Sequence, residues 1–401
     1  MKKEKWVKPR HRILLPILKF IIRIMTIVKY KFRGKKFKNQ NKPHIILYNH
    51  QTVWDQFFVG LICNNKTYFV MSDDLASIRF VSPLLKWLVN PIPYKKSSTD
   101  FTILRTCRQV VSEGGSIAIS PEGNRTYSGK TEYMKDGIVK MIKFLKVPVA
   151  IVHIKGGYGA HPRWADKTRR GLVTTEVYKV YQYEDYKDMT NEELFSLIQQ
   201  DLYIDESVVS GPFKSSRNAE YIERVIYNCP KCGFTKFISS KDILTCTSCN
   251  MKLRYNNYKQ FEGLNVNPPF NNIAEWYDYQ QKYLYDMNLL EMNCEELLFE
   301  DVAKFSQVIP RKKKLVIDEK AKLLMYPNRI EIICKDATRV YYFNEISSSG
   351  VFGKNKLNFY IANDIYQFKG DVHFNAMKYV NVFYKYRIEK GIEADGKFLG
   401  L

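Results

Sequence analysis

From His44 to Ile154 the chain alternates short apolar runs with helix-like patterns, and this alternation limits the possible folds more than any other feature. His44–Tyr48, Thr67–Met71, Ser116–Ser120 and Val147–Ile154 read as strands. Trp54–Cys63, Asp100–Glu113 and Ile138–Leu145 read as helices, the second of them stopped by Gly114-Gly115. That order predicts an α/β layer with functional loops at the strand ends. The remaining length of a 401-residue chain leaves room for one or two further domains.

The first of these strands runs into Leu47-Tyr-Asn-His-Gln-Thr-Val-Trp-Asp55. His50 falls at the strand end and Asp55 about one turn into the next element. At that spacing a carboxylate can reach one imidazole nitrogen and leave the other free as a base. A structural His beside an N-cap Asp is the plain alternative. A second marked stretch, Ser120-Pro-Glu-Gly-Asn-Arg-Thr126, comes after another strand. Gly123 suits a tight or left-handed turn, Arg125 offers a planar fork for phosphate, and Glu122 can pair with that Arg or bind a hydroxyl. Between the two stretches, Lys95 and Lys96 end the loop Pro91-Ile-Pro-Tyr-Lys-Lys96. Taken alone they read as solvated surface lysines.

Charge bears on the partner. The formal net charge is +22, and residues 1–42 hold fifteen Lys or Arg against one acid, Glu4. Basic surfaces attract phosphate on nucleic acid or on anionic lipid. The apolar run Ile13–Tyr30 lies within this basic segment, and Lys19, Arg23, Thr26 and Tyr30 fall on one face of it. A helix with a narrow basic stripe and a wide apolar face lies in the bilayer interface rather than crossing it. Basic flanks on both sides point to the cytoplasmic leaflet. A buried helix of a soluble core is the alternative.

Taken in order, these blocks make the chain resemble the glycerolipid acyltransferase family that includes 1-acylglycerol-3-phosphate acyltransferases. The family's N-H-x4-D block is Asn49, His50 and Asp55, and its P-E-G-x-R block is Pro121, Glu122, Gly123 and Arg125. Its hydrophobic fourth block is matched at Val147-Pro148-Val149. The second block ends in Arg in the family, where this chain has Lys96 with Lys95 beside it. The likeness covers roughly residues 35–210. It implies an acyl group passed directly from acyl-CoA or acyl carrier protein to a hydroxyl of lysophosphatidic acid or a related glycerol phosphate lipid. His50 oriented by Asp55 would be the base. Arg125 with Lys96 or Lys95 would hold the acceptor phosphate, in a pocket shaped by Glu122 and Gly123. Acylation of another lipid or of a sugar-linked alcohol is a second reading. A catalytically inactive membrane adaptor is the reading from a different class.

Beyond the acyltransferase-like region come Cys229-Pro-Lys-Cys232, thirteen residues, and Cys246-Thr-Ser-Cys249. Two C-x2-C pairs at this separation predict four-thiolate ligation of Zn2+ in a zinc ribbon, closed and therefore structural. The other four cysteines are scattered, which suits a reduced compartment. The ribbon carries only a weak basic surplus, so no nucleic-acid partner is expected. Ala219–Ile226, Ile273–Asn288 and Glu291–Phe305 read as helices. Seven short strand-like runs between Leu315 and Phe368, closed by a helical pattern at His373–Tyr386, resemble the pleckstrin-homology-like fold. Just past the fourth block, Lys155-Gly-Gly-Tyr-Gly159 reads either as a substrate loop or as a plain turn.

The expected organisation is therefore a basic amphipathic membrane-associating segment over 1–42 and an α/β acyltransferase domain over 43–212. A zinc ribbon over 213–260, a helical linker over 261–308 and a β-rich domain over 309–401 complete it. The expected location is the cytoplasmic face of a membrane, held peripherally or monotopically, with membrane lipids, a lysophospholipid acceptor and an acyl donor as partners.

Overall fold

The computed structural model describes residues 5–38, 40–72, 81–94, 101–208, 211–309, 314–362 and 364–392. It divides into two units, one of residues 1–162 and 168–213 and the other of residues 163–167 and 214–401.

The first unit is built on a seven-stranded sheet of β1 (Arg33–Gly34), β2 (Ile45–Tyr48), β3 (Thr67–Ser72), β4 (Ile92–Tyr94), β5 (Ser116–Ile119), β6 (Val149–Lys155) and β7 (Thr174–Tyr181). Their spatial order is β1-β7-β6-β2-β5-β3-β4. All neighbouring pairs are parallel except β6 with β7. β2 is buried along its whole length, as a central parallel strand covered on both faces must be. Its alternate residues serve two cores. Ile45 and Leu47 pack with Ile117, Ile142, Val149 and Ile198 on one face. Ile46 and Tyr48 pack with Tyr30, Phe58, Ala118 and Val152 on the other. The strand β7 was not legible in the sequence: its burial is broken on both faces, and it reads as polar.

Helix α1 (His11–Tyr30) ends at Lys31, which is left-handed at φ 47° and donates its N–H to Ile27 O. Its orientation reverses the usual surface helix. His11, Leu15, Thr26 and Tyr30 are the buried positions, and Lys19 reaches inward to donate to Cys63 O at 2.7 Å. Burial brings the Lys19 pKa down to about 8. Ile13, Ile17, Phe20, Ile21, Ile24, Met25 and Val28 all face outward, with Phe20 67% and Val28 65% exposed. Of the polar stripe, Lys19, Thr26 and Tyr30 turn toward the domain while Arg23 stays exposed, and the wide apolar face is the free one. Helix Val81–Val89 lies alongside, its Trp87 carbonyl accepting from Arg10 Nε at 3.0 Å, and adds exposed Leu84 and Trp87. Among the described residues no helix is long and apolar enough to cross a membrane.

In the second unit, a four-stranded antiparallel sheet (Phe237–Ser240, Ile243–Cys246, Lys252–Tyr255, Phe261–Gly263) carries one cysteine pair, and the short hairpin Asn228–Cys229 with Gly233–Phe234 carries the other. A seven-stranded antiparallel sheet comes next, with the helix Met377–Glu389 against it. Two expectations are corrected here. Ala219–Ile226 is not a helix: Tyr221 is left-handed at φ 71° and only a single 3-10 turn, Ile222–Arg224, forms. Ala219 N–H and Tyr221 N–H are taken by Lys241 O and Ser239 Oγ instead. Glu291–Phe305 is not a helix either, because Phe299–Gln307 is a strand whose Phe299, Ala303 and Phe305 are buried at period two. The count of seven strands survives because Leu315–Met325 is one strand, not two. Its charged middle is absorbed by Asp318, which accepts Lys320 N–H at 2.8 Å and Lys335 N–H at 2.7 Å opposite an irregularity in the Phe299–Gln307 strand.

Candidate active site

The parallel register determines which loops meet. Leu47 of β2 aligns with Ile119 of β5, and Tyr48 aligns with Val152 of β6. Three residues beyond Leu47 lies His50, and three beyond Ile119 lies Glu122, so the two marked stretches leave the sheet side by side. Backbone and side chain lock them together. His50 N–H donates to Glu122 Oε1 at 2.7 Å, and Thr126 N–H donates to His50 O at 2.9 Å. On the other flank Asn49 mimics a strand residue: its Nδ2 donates to Ile154 O at 2.9 Å and its Oδ1 accepts Ile154 N–H at 2.8 Å.

Asp55 opens helix α2 (Asp55–Ile62) and is wholly buried. Its Oδ2 accepts three hydrogen bonds: from the His50 ring at 2.7 Å, from Gln51 N–H at 2.6 Å and from Thr52 N–H at 2.9 Å. The two amides hold the carboxylate in place, and the carboxylate orients the imidazole through Nδ1. The His50 side chain is 23% exposed. With Nδ1 carrying the proton toward Asp55, Nε2 presents a lone pair, which is the arrangement of a general base.

Glu122 is buried, and each of its oxygens takes a backbone amide, His50 N–H on Oε1 and Glu132 N–H at 3.2 Å on Oε2. Burial raises its pKa well above the ordinary carboxylate range, against the pull of those two amides. Gly123 is left-handed at φ 69°, with open space where a side chain would stand. Arg125 is half-buried on the same loop. Lys95 and Lys96 lie outside the described residues.

The glycine-rich stretch after β6 packs against the His50–Asp55 loop. Gly157–Ala160 is one buried helical turn, and Tyr158 N–H donates to Gln51 Oε1 at 3.1 Å. A side chain at Gly157 would stand 2.6 Å from Gln51 Oε1 and displace it, so the glycine lets this turn press closely against the His50–Asp55 loop. Sequence reasoning did not give Gln51, Thr52 or Asn49 these roles. Their only signal was their position inside the His50 stretch.

In the second unit Cys229, Cys232, Cys246 and Cys249 come together, with all four sulfurs within 4.8 Å of one another. Cys229 Sγ stands 3.8 Å from Cys249 Sγ, and Cys232 Sγ stands 3.6 Å from Cys246 Sγ. These separations are far beyond a disulfide of about 2.05 Å. They match the spacing of about 3.8 Å expected for tetrahedral sulfurs at about 2.3 Å from one ion. The residue after each pair, Gly233 at φ 72° and Asn250 at φ 58°, is left-handed and turns the chain back under the sulfurs.

Residues 29–155 match the family model described as Acyltransferase. A 1-acyl-sn-glycerol-3-phosphate acyltransferase of Pseudomonas aeruginosa is 25% identical over 150 residues, which are 36% of this chain and 57% of that protein. The chain thus spans little more than half the length of this curated relative. Among solved structures, the 1-acyl-sn-glycerophosphate acyltransferase PlsC of Thermotoga maritima is similar at 22% identity with a TM-score of 0.42, over 48% of this chain and 78% of that one. The N-terminal PH domain of human ARAP2 is similar at 11% identity with a TM-score of 0.21, over 25% of this chain and 90% of that one.

Proposed function

We propose that this chain, whose residues 29–155 match the Acyltransferase family model, transfers an acyl group from a thioester donor, acyl-CoA or acyl carrier protein, to a free hydroxyl of lysophosphatidic acid or a related glycerol phosphate lipid. The observation that carries this reading is the His50–Asp55 pair at 2.7 Å, locked by Glu122 beside the Arg125 loop. His50 Nε2 takes the proton as the acceptor oxygen attacks the thioester carbonyl carbon. The tetrahedral intermediate expels the thiolate, which recovers that proton from the imidazolium. Buried Asp55 stabilises the imidazolium charge between the two steps. Arg125, with Lys95 or Lys96, binds the acceptor phosphate as a charge-assisted pair.

The exposed apolar face of α1, extended by Leu84 and Trp87 and flanked by basic residues, supports a monotopic seat in an anionic, cytoplasmic-facing leaflet, where the acceptor also resides. The four cysteines would hold a structural Zn2+, and with every ligand supplied by the chain they would leave no open position for substrate.

The deciding experiment incubates purified protein in vesicles with a panel of lysolipids and both donor types, followed by mass spectrometry of the lipid products. Wild-type protein should give one diacylated phosphate lipid, and His50→Ala should give none while remaining folded and vesicle-bound. Full activity in His50→Ala would remove the assignment. Arg125→Ala should raise the acceptor KM and leave the donor's unchanged. An unchanged acceptor KM would instead favour an alcohol without phosphate.

A further inference from the structure

The dyad carboxylate is only half accounted for. Asp55 Oδ2 receives three donors, whereas Asp55 Oδ1 is buried and has no hydrogen-bond partner among the described residues. A buried carboxylate oxygen in that condition is costly and calls for a donor. A second buried polar atom without a partner among the described residues is the hydroxyl of Tyr30.

Tyr30 is the last residue of α1 and is 1% exposed. Its ring packs against the residues that bracket Asp55 closely in the chain. The ring centroid lies 5.6 Å from Trp54 and 5.6 Å, edge-on, from Phe58. The Asp55 charge is felt at the phenol: burial first and that carboxylate second raise the Tyr30 pKa, so the hydroxyl keeps its proton and remains a donor. Tyr48 feels the same carboxylate and stands edge-on to the His50 ring at 6.4 Å. Lys29 is a cation on this side, with its Nζ 4.9 Å from the centroid of Trp54 and 5.4 Å from that of Tyr30.

We infer that Tyr30 is a positioning residue for the His50–Asp55 pair: its hydroxyl supplies the missing donor to Asp55 Oδ1 across one bridging water. A buried water needs two to four polar partners, and these two groups, both buried and without a partner among the described residues, supply two of them. The inference rests on the acyl-transfer reading above and adds a consequence. The last residue of the helix proposed to lie in the membrane also sets the orientation of the base, so seating of α1 and competence of His50 are linked through one side chain.

Tyr30→Phe is the informative variant, because it keeps the ring against Trp54 and Phe58 and removes only the hydroxyl. In vesicles it should lower kcat about 3- to 10-fold with both KM values unchanged, a loss in the transition state alone. The second readout does not depend on turnover: the His50 titration followed by NMR. Without the donor the Asp55 charge is less shared, so the His50 titration should move to higher pH, and the acidic limb of kcat/KM should shift upward with it. Val59→Ala, which trims packing in the same core without touching a polar group, should leave both readouts in place. An unchanged His50 titration and an unchanged kcat in Tyr30→Phe would overturn the inference, and so would equal shifts in Val59→Ala. If wild-type protein acylates no lysolipid and yet Tyr30→Phe shifts the His50 titration, the acyl-transfer reading fails while the positioning role stands.

Discussion

His50 N–H donates to Glu122 Oε1 at 2.7 Å, so the carboxylate of one marked stretch fixes the backbone of the other. Glu132 N–H occupies the second oxygen. Glu122 thus acts on the shape of the site through two amides. An amide side chain cannot repeat this, because one of the two N–H groups would face an NH2. Glu122→Gln should therefore cost about 1–3 kcal/mol, the penalty of a buried donor left unmade. The check is the thermal midpoint together with kcat, which should fall as the His50 loop loosens.

The same residue gives a pH dependence with a definite sign. Burial raises the Glu122 pKa in the folded state, so the folded protein binds this proton more tightly than the unfolded chain does. Stability should then fall as pH rises from the ordinary Glu range, near 4.5, through the raised value. Denaturant unfolding at a series of pH values should show this slope in wild-type protein and a shallower one in Glu122→Gln.

Residues 163–167 belong with the second unit although the chain on both sides belongs with the first. Asp166 is one of the groups that hold them, beside the Trp164 and Ala165 carbonyls that the same two cations also bond. Arg224 Nη1 donates to Asp166 at 2.8 Å and Lys354 Nζ at 2.7 Å, and the Arg224 side chain is only 3% exposed. Asp166→Ala leaves that guanidinium without its carboxylate. A fully buried pair broken this way costs about 3–5 kcal/mol. Asp166 is partly solvated, so about 2 kcal/mol is the expected loss. Burial works against the charged form of Asp166, yet the bonds from Arg224 and Lys354 prevail and hold its pKa below 3.8. The stabilisation is thus present above that value and lost as pH falls through the depressed one. Thermal unfolding between pH 2 and 7 should show this acid loss in wild-type protein and not in Asp166→Ala.

The cysteine cluster should carry one zinc per chain. Cys246→Ser should lower the bound metal and expose the ribbon to limited proteolysis between residues 228 and 263. Elemental analysis and mass mapping of the cleavage sites give both readouts. With all four ligands supplied by cysteines a bound ion would have no open position, so acyl transfer should persist in protein whose first unit remains folded. Loss of activity there would assign the metal more than a structural part.

The candidate site was largely legible in the sequence because its parts are short and lie at strand ends. The order of apolar runs gives the parallel strands, and in parallel strands residues at equal distances past the ends meet. His50 and Glu122 therefore come out of the pattern. Tyr30 does not, because nothing in an apolar helix marks which residue turns inward. The inward turn of Lys19 was hidden for the same reason: its bond to Cys63 O depends on a residue far along the chain. Phe299–Gln307 was missed because apolar spacing in a short segment fits both periods, and the partner strand made the choice. The cysteine pairs needed no tertiary context, since their spacing alone carries the geometry.

The apolar face of α1 gives the last prediction. Phe20 and Ile24 point away from the domain, and neither belongs to a core. Phe20→Asp with Ile24→Asp should leave the thermal midpoint nearly unchanged, because the buried stripe His11, Leu15, Thr26 and Tyr30 is untouched. In a water-soluble role those two charges would be tolerated or helpful. At a bilayer they oppose insertion of the apolar face and repel anionic headgroups. Co-sedimentation with vesicles of about 30% phosphatidylglycerol should therefore drop at least tenfold for the double variant. Turnover of a monomeric short-chain lysolipid, which needs no interface, should fall far less than turnover of a long-chain one. Equal binding by the two proteins would place the membrane contact elsewhere on the chain.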